Sequence, residues 1–344
     1  MNLYSKREGK MVDFGPIQMG SGAGGFYGEG YWFHKPLWLL GVWFFMITFV
    51  GKTMTLMPNK GNAPLKRDGV TLREFFPRCI FVSFHSWFHA GMLNIVALSN
   101  IGSQKLLGRG RLQKRKKPQF LSFMPIGDTP KKRLEEVCSF KNLLLSCLTR
   151  FEGPIALQIN ICPNTGHKKE ELIKEVPSWF DALAELEIPL VAKLSSAMSV
   201  KHAKCISDHS ACSALLVSNT LRWDGELPDR VKIRTFGTLE SPLRKRGFSG
   251  GGAYSGKWLL PFTEAWIMRA RKAGIKKPIV GGGGVLSPRG VWRLKRASAD
   301  AIAIASISIL RPWMFLPVVF TAHLLYEWWP KLRGVFPKRK ISTS

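Results

Sequence analysis

The sequence predicts an α/β protein: a (β/α)8 TIM barrel with an N-terminal apolar and Gly-rich segment and a basic C-terminal tail. Three observations lead there. Short runs of apolar β-formers alternate with longer helix-like stretches. The runs are almost continuously apolar, as strands covered on both faces of a parallel sheet must be. They number about eight, which favours a closed barrel over an open sheet. The length, 344 residues, suits one barrel of roughly 250 residues with additions. Residues 1–330 are therefore read as one domain and 331–344 as the tail.

The first strand is placed at 15–19 and the second at 44–50, a run that ends in "GKT". The third lies at 120–124, followed by the helix-like "TPKKRLEEVCSFKNLLLSCL". The fourth, 156–159, ends in "NICPNTG" before "KKEELIKEVPSWFDALAEL". The fifth, 190–193, ends in "KLSS", and the sixth, 215–217, in "SNT". "LPFTEAWIMRARKAG" then leads to the seventh, 278–280, ending in "GGGG", and the eighth, 301–305, ending in "ASIS". In a parallel barrel all these ends share one face, where chemistry is placed. Lysines, asparagines, a cysteine and a glycine run thus converge.

Charge is the oddest global property. The chain carries 51 Lys+Arg against 23 Asp+Glu, a net +28, beyond what solubility requires. The balance implies an anionic partner or surface, with "GRGRLQKRKK" and Lys338 to Lys340 as the densest clusters; runs this short read as solvated loop and tail in preference to a nucleic-acid or anionic-lipid site. The six cysteines lack any C-x-x-C pair, so spacing suggests neither an iron–sulfur cluster nor a zinc knuckle, and no metal site is predicted. The first thirty residues are charged and then Gly-rich rather than signal-like, and a cytoplasmic protein is expected. Two Trp-rich segments add the option of peripheral membrane attachment. "PLWLLGVWFFMITFVG" (36–51) is uncharged but short for a span of roughly 20 residues. "PWMFLPVVFTAHLLYEWWPKLRG" reads as the last barrel helix in preference to an interfacial anchor.

Several residues at the strand ends carry chemistry. Four glycines in "PIVGGGGVLS", with "AIAIASIS" one strand later, match the phosphate site that barrels build from their last two loops. Lys193 ends an apolar strand, where an uncompensated buried ammonium is costly and an electron-accepting cofactor would relieve it. Lys52 poses the same problem, with snorkelling as the alternative. Asn94, Asn219 and Thr220 offer amides and a hydroxyl to a small planar substrate. Cys162 would serve as a base if its thiolate were accessible and near positive charge; otherwise it is one more small buried residue.

Together these segments resemble the FMN-dependent dihydroorotate dehydrogenases, of the type with a cysteine base. The resemblance runs from about Gly15 to Pro312 and rests on "KTMTLMPNKGNAPL", "MLNIVALSNIG", "SFMPIGDTPKKRLEE", "CPNTG", "LVAKL", "VSNT", "GAYSGKWLLP" and "PIVGGGGVLSP", in family order. It implies FMN across the barrel mouth, held by Ser21, Gly22, Lys52, Thr53, Asn160, Lys193, Ser218, Gly256, Gly283, Gly284 and Ser306. It implies dihydroorotate, oxidised to orotate in pyrimidine biosynthesis, held by Lys52, Asn94, Asn164, Asn219 and Thr220. Cys162 would take the proton from carbon 5 while hydride leaves carbon 6 for the flavin. The motif at 160–164 is one residue shorter than the family's, and Ala305 stands where members carry Gly or Tyr.

The motifs do not specify the electron acceptor. A homodimer is common in such barrels, and an anionic membrane surface is a second candidate partner. The competing readings are a tRNA dihydrouridine synthase-like FMN enzyme, disfavoured because "GNAPL" and "SNT" fit less well and no further RNA-binding domain is visible, and a catalytically impaired barrel that binds membrane surfaces.

Overall fold

The computed structural model describes residues 1–31, 34, 46–83, 90–161 and 169–329, excepting the side chains of 169–171, 218 and 219. Eight parallel strands are hydrogen-bonded in one sheet: β1 (Ile17–Met19), β2 (Phe49–Val50), β3 (Gln119–Phe123), β4 (Ile155–Asn160), β5 (Leu190–Ser195), β6 (Cys212–Asn219), β7 (Ile279–Gly282) and β8 (Ala301–Ile304). β8 pairs with β1. On the other side of β1, Gln18 bridges Thr48 in the parallel sense, and Thr48 N–H donates to Ile17 O at 2.9 Å. That bridge closes the barrel.

All eight expected strands are present, because each is buried on both faces and so is written in apolar residues. The helices between them carry one apolar stripe each. In α1 (Pro130–Leu148), Pro130 begins the helix, the Thr129 hydroxyl accepts from Lys132 N–H, and Arg133, Val137, Phe140, Leu144 and Cys147 form the buried stripe. Phe140 stacks on Phe123 of β3 at 3.9 Å between centroids, so odd-numbered residues of β3 face outwards and Phe120 and Ser122 face the barrel interior. Arg133 grips Glu175 of α2 (Lys169–Ala184) through two bonds of 2.8 and 2.7 Å, and this bidentate pair suits a buried guanidinium.

Three further helices matter for position: α3 (Leu259–Lys272), α4 (Pro288–Arg296) and α5 (Phe315–His323). α5 packs Phe315, Val318, Val319 and Ala322 inwards, and His323 Nε2 lies 2.7 Å from Met46 O. The segment is therefore the last barrel helix over these residues. Residues 36–45 of the other apolar stretch, 36–51, lie outside the described residues. No described helix is long and apolar enough to cross a membrane.

Two additions were not foreseen. A hairpin, Asn2–Ser5 with Lys10–Asp13, binds through Arg7 to Glu187 O and Phe151 O, just ahead of β5 and β4, and so caps the N-terminal end of the barrel. At the opposite end, strands Ile80–Ser83, Gly91–Asn94, Ala253–Gly256 and Leu221–Arg222 form an antiparallel sheet. It has a small core of its own, including Leu93, Trp223, Leu243 and Tyr254. The Gly-rich stretch 249–261 holds one of these strands. Its partner lies about 160 positions earlier in the chain, a pairing no local pattern records.

Candidate functional site

A cavity of about 1690 Å³ opens at the C-terminal ends of the barrel strands, beneath the antiparallel sheet. Among the described residues it is lined by seven Lys and Arg side chains, including Lys52, Lys193, Arg73 and Arg246, against the four carboxylates of Glu29, Glu74, Asp128 and Asp224. The lining favours an anion.

The barrel interior below the cavity is polar. Gln158 of β4 donates through Nε2 to Gln18 of β1, 3.2 Å away across the barrel interior, although both side chains are fully buried. Strand alternation then places Asn160, two residues on, on the same inward face. Asn160 stands in register with Lys193 of β5, and both are buried at the cavity. The shortened motif therefore leaves Asn160 facing the site.

Beside them runs a ladder of hydroxyls. Ser21 Oγ donates to Gly51 O at 3.1 Å, Ser21 and Thr53 hydroxyls lie 2.8 Å apart, and Thr53 and Ser122 lie 2.9 Å apart. Because the Ser21 proton is committed to a carbonyl, Thr53 donates to Ser21 and Ser122 to Thr53. The ladder fixes the Ser21 and Thr53 oxygens at the cavity edge.

Lys52 donates to Ser99 O at 2.9 Å and sits 4.9 Å from the centre of the Phe26 ring. Burial pushes its ammonium down to about 8, with Glu29 partly opposing the shift. Glu29 in turn receives the N–H groups of Phe26 and Tyr27 at 2.8 and 2.7 Å. This turn needs glycine at position 25, where φ is +79° and a Cβ would fall 2.4 Å from the Glu29 carboxylate. Tyr31 donates to Gly22 O at 2.9 Å, and burial raises its phenol above the ordinary value. His34 Nδ1 accepts from Tyr31 N–H, and burial holds the imidazole down to about 3. His34 is thus neutral at physiological pH, with its proton on Nε2. Glu29, Tyr31 and His34 were not anticipated; only their place in a Gly-rich segment hinted at a loop over the mouth.

Ser21, Gly22, Lys52, Thr53, Asn94, Asn160, Lys193, Thr220 and Ser306 all line this cavity. Asn94 also donates to Ala253 O, tying it to the antiparallel sheet. Gly256, Gly283 and Gly284 are not among the lining residues. Gly256 and Gly284 pack against backbone instead, a Cβ on Gly284 lying 2.6 Å from Leu260 N and 2.7 Å from Gly256 O, and Gly283 faces the Leu259 side chain. Ser218 and Asn219 occupy the end of β6, with side chains outside the description. Cys162 and Asn164 lie outside the described residues. At the seam between first and last strands, Gly20 N–H donates to Ile304 O at 2.6 Å, and a Cβ on Gly20 would meet that of Ala305 at 2.7 Å.

No family model matches the chain. It is 24% identical over 278 residues to "Dihydroorotate dehydrogenase B (NAD(+)), catalytic subunit" of Endomicrobium trichonymphae, covering 78% of this chain and 77% of that protein. Its likeness is to the dihydroorotate dehydrogenase family. A crystal structure of a dihydroorotate dehydrogenase from Eimeria tenella in complex with ferulenol shares the fold, with a TM-score of 0.61 at 16% identity over 97% of this chain and 85% of that one. The dehydrogenase-like motifs coincide with the cavity wall: "KTMT" supplies Lys52 and Thr53, "LVAKL" Lys193, and "MLNIV" Asn94.

Proposed function

We propose that the chain is a dihydroorotate dehydrogenase-like oxidoreductase that binds FMN and oxidises dihydroorotate to orotate in pyrimidine biosynthesis. The observation that carries this reading is the gathering of Lys52, Thr53, Asn94, Asn160, Lys193, Thr220 and Ser306, from strand ends and loops far apart in sequence, around one basic cavity.

The residues present fit a flavin nucleotide. A cavity of about 1690 Å³ exceeds the roughly 300–1,000 Å³ that a single small ligand occupies, leaving room for a nucleotide and a second molecule. FMN supplies the hydride acceptor when bound. Lys193 and Asn160 would hold its polar ring edge, and the buried ammonium favours whichever state of that ring carries negative charge. Ser21, Gly22 and Thr53 would flank the ring, with Ser218 at the end of β6. Ser306 would hold the phosphate, with the Gly256 and Gly283–Gly284 backbones behind it. Lys52, Asn94 and Thr220, with Asn164 and Asn219, would bind the substrate carboxylate and ring. Cys162 would remove the proton from carbon 5.

The test is a visible spectrum of the purified protein after reconstitution with FMN. A flavin spectrum bleached anaerobically by dihydroorotate supports the reading. A correctly folded protein that neither carries nor takes up flavin overturns it. Cys162→Ala should retain the flavin and lose at least about a hundredfold in the rate of bleaching, as removal of a general base does.

A further inference from the structure

We propose that the outer face of the last barrel helix is a docking surface for an anionic lipid bilayer. The inference does not rest on the flavin reading.

From Pro312 to Tyr326 the sequence contains no Asp, Glu, Lys or Arg. The inward side of this stretch is accounted for by Phe315, Val318, Val319, Ala322 and Leu325, all buried. Its outward side is equally apolar. Trp313 (56% exposed), Leu316, Phe320 (57% exposed) and Leu324 follow at spacings of three, four and four, which sets them in one row along the helix. Trp329, five positions beyond Leu324, is exposed as well. A surface helix of a globular protein normally shows water a charged face, and a contiguous apolar row of this kind marks an interaction site.

Charge complementarity selects the occupant. Arg311 opens the apolar stretch, and Lys331 and Arg333 follow it in sequence. On the adjacent α4, Lys295 sits 4.3 Å over the Tyr326 ring, which locks the two helices side by side, and α4 presents exposed Arg289 and Arg296 around exposed Trp292. Large apolar and indole side chains bordered by guanidinium and ammonium groups suit the boundary between acyl chains and anionic headgroups. The net charge of +28 adds long-range attraction to such a surface. A second copy of this chain would bring the same positive charge and be repelled by it.

The experiment is co-sedimentation of the full-length protein with vesicles of phosphatidylcholine alone or mixed with phosphatidylglycerol. The wild type should pellet with the mixed vesicles and not with phosphatidylcholine alone, and added salt should release it. Leu316→Glu/Phe320→Glu should weaken binding by about tenfold or more, since it removes two inserted side chains and adds two repelled charges. Where the double variant melts below the wild type, Phe320→Glu alone serves, with a smaller loss. Three results would overturn the proposal: a wild type that ignores anionic vesicles, a folded variant that binds them equally well, or a variant that only converts a dimer to a monomer in sedimentation velocity.

Discussion

The interior of this barrel is more polar than one of its outer faces. Inside, Gln18, Ser122, Gln158, Asn160 and Lys193 are buried between strands, and outside, Trp313, Leu316, Phe320 and Leu324 are each more than a third exposed. Each arrangement inverts the usual sorting of side chains, under which the informative observations are buried polar groups and exposed apolar patches. A ligand at the mouth, as proposed, would account for Asn160 and Lys193, which line the cavity, and the proposed bilayer would account for the outer row.

The largest expected effect falls on the polar interior. Lys193→Met should slow anaerobic flavin reduction by dihydroorotate at least about a hundredfold, the size of effect seen when a positioned electrostatic group is removed. Stopped-flow absorbance reads it, and an unchanged rate would make the buried lysine structural.

Next is the pair below the cavity. Gln158→Leu leaves the Gln18 amide buried without this partner and should lower stability by about 1–3 kcal/mol. The double variant Gln18→Leu/Gln158→Leu should recover most of that loss, because both polar groups are then gone. Urea unfolding of the four proteins forms the cycle, and simple additivity would show that the two amides do not act as a pair.

Lys52 sharpens the comparison through pH. As pH climbs through about 8 the side chain loses its charge, so kcat/KM for the anionic substrate should fall over that range in the wild type and stay level in Lys52→Met. Stability runs the other way. The folded-state value lies below the ordinary 10.5, so the unfolded chain binds the proton more tightly. The cost of burying Lys52 is therefore complete below pH 8 and is relieved between 8 and 10.5. Thermal melts should show Lys52→Met closing its advantage over the wild type as the pH rises.

The smallest effect belongs to the outer face. Leu316→Glu/Phe320→Glu should change unfolding free energy by no more than about 0.5 kcal/mol, as exposed substitutions do. A large loss would mean that this row is packed in solution.

The eight strands were legible because a strand covered on both sides has to be apolar along its whole length, and 120–124 or 190–193 can be little else. The strand-end rule and the resemblance together brought out Lys52, Thr53, Asn94, Asn160, Lys193 and Thr220, which the fold collects. The antiparallel sheet was not legible. Gly91–Asn94 and Ala253–Gly256 contain glycine, serine and asparagine, poor strand formers, and they pair only because the barrel brings two distant excursions over its mouth. Gln18 and Gln158 were missed for a related reason: one glutamine in a short apolar run carries no mark of a partner across the barrel. Glu29, Tyr31 and His34 act through backbone contacts that depend on the path of a Gly-rich loop, and residue type alone does not reveal that path.

The seam where β8 meets the chain leaving β1 has room for a single methyl group, which Ala305 fills while Gly20 stays bare. Positions 20 and 305 therefore behave as one unit under mutation. A side chain gained at the first is tolerated only when the second gives its own up, and an exchange of the two, Gly20→Ala with Ala305→Gly, should pass where Gly20→Ala alone would pry the cylinder open beside its mouth.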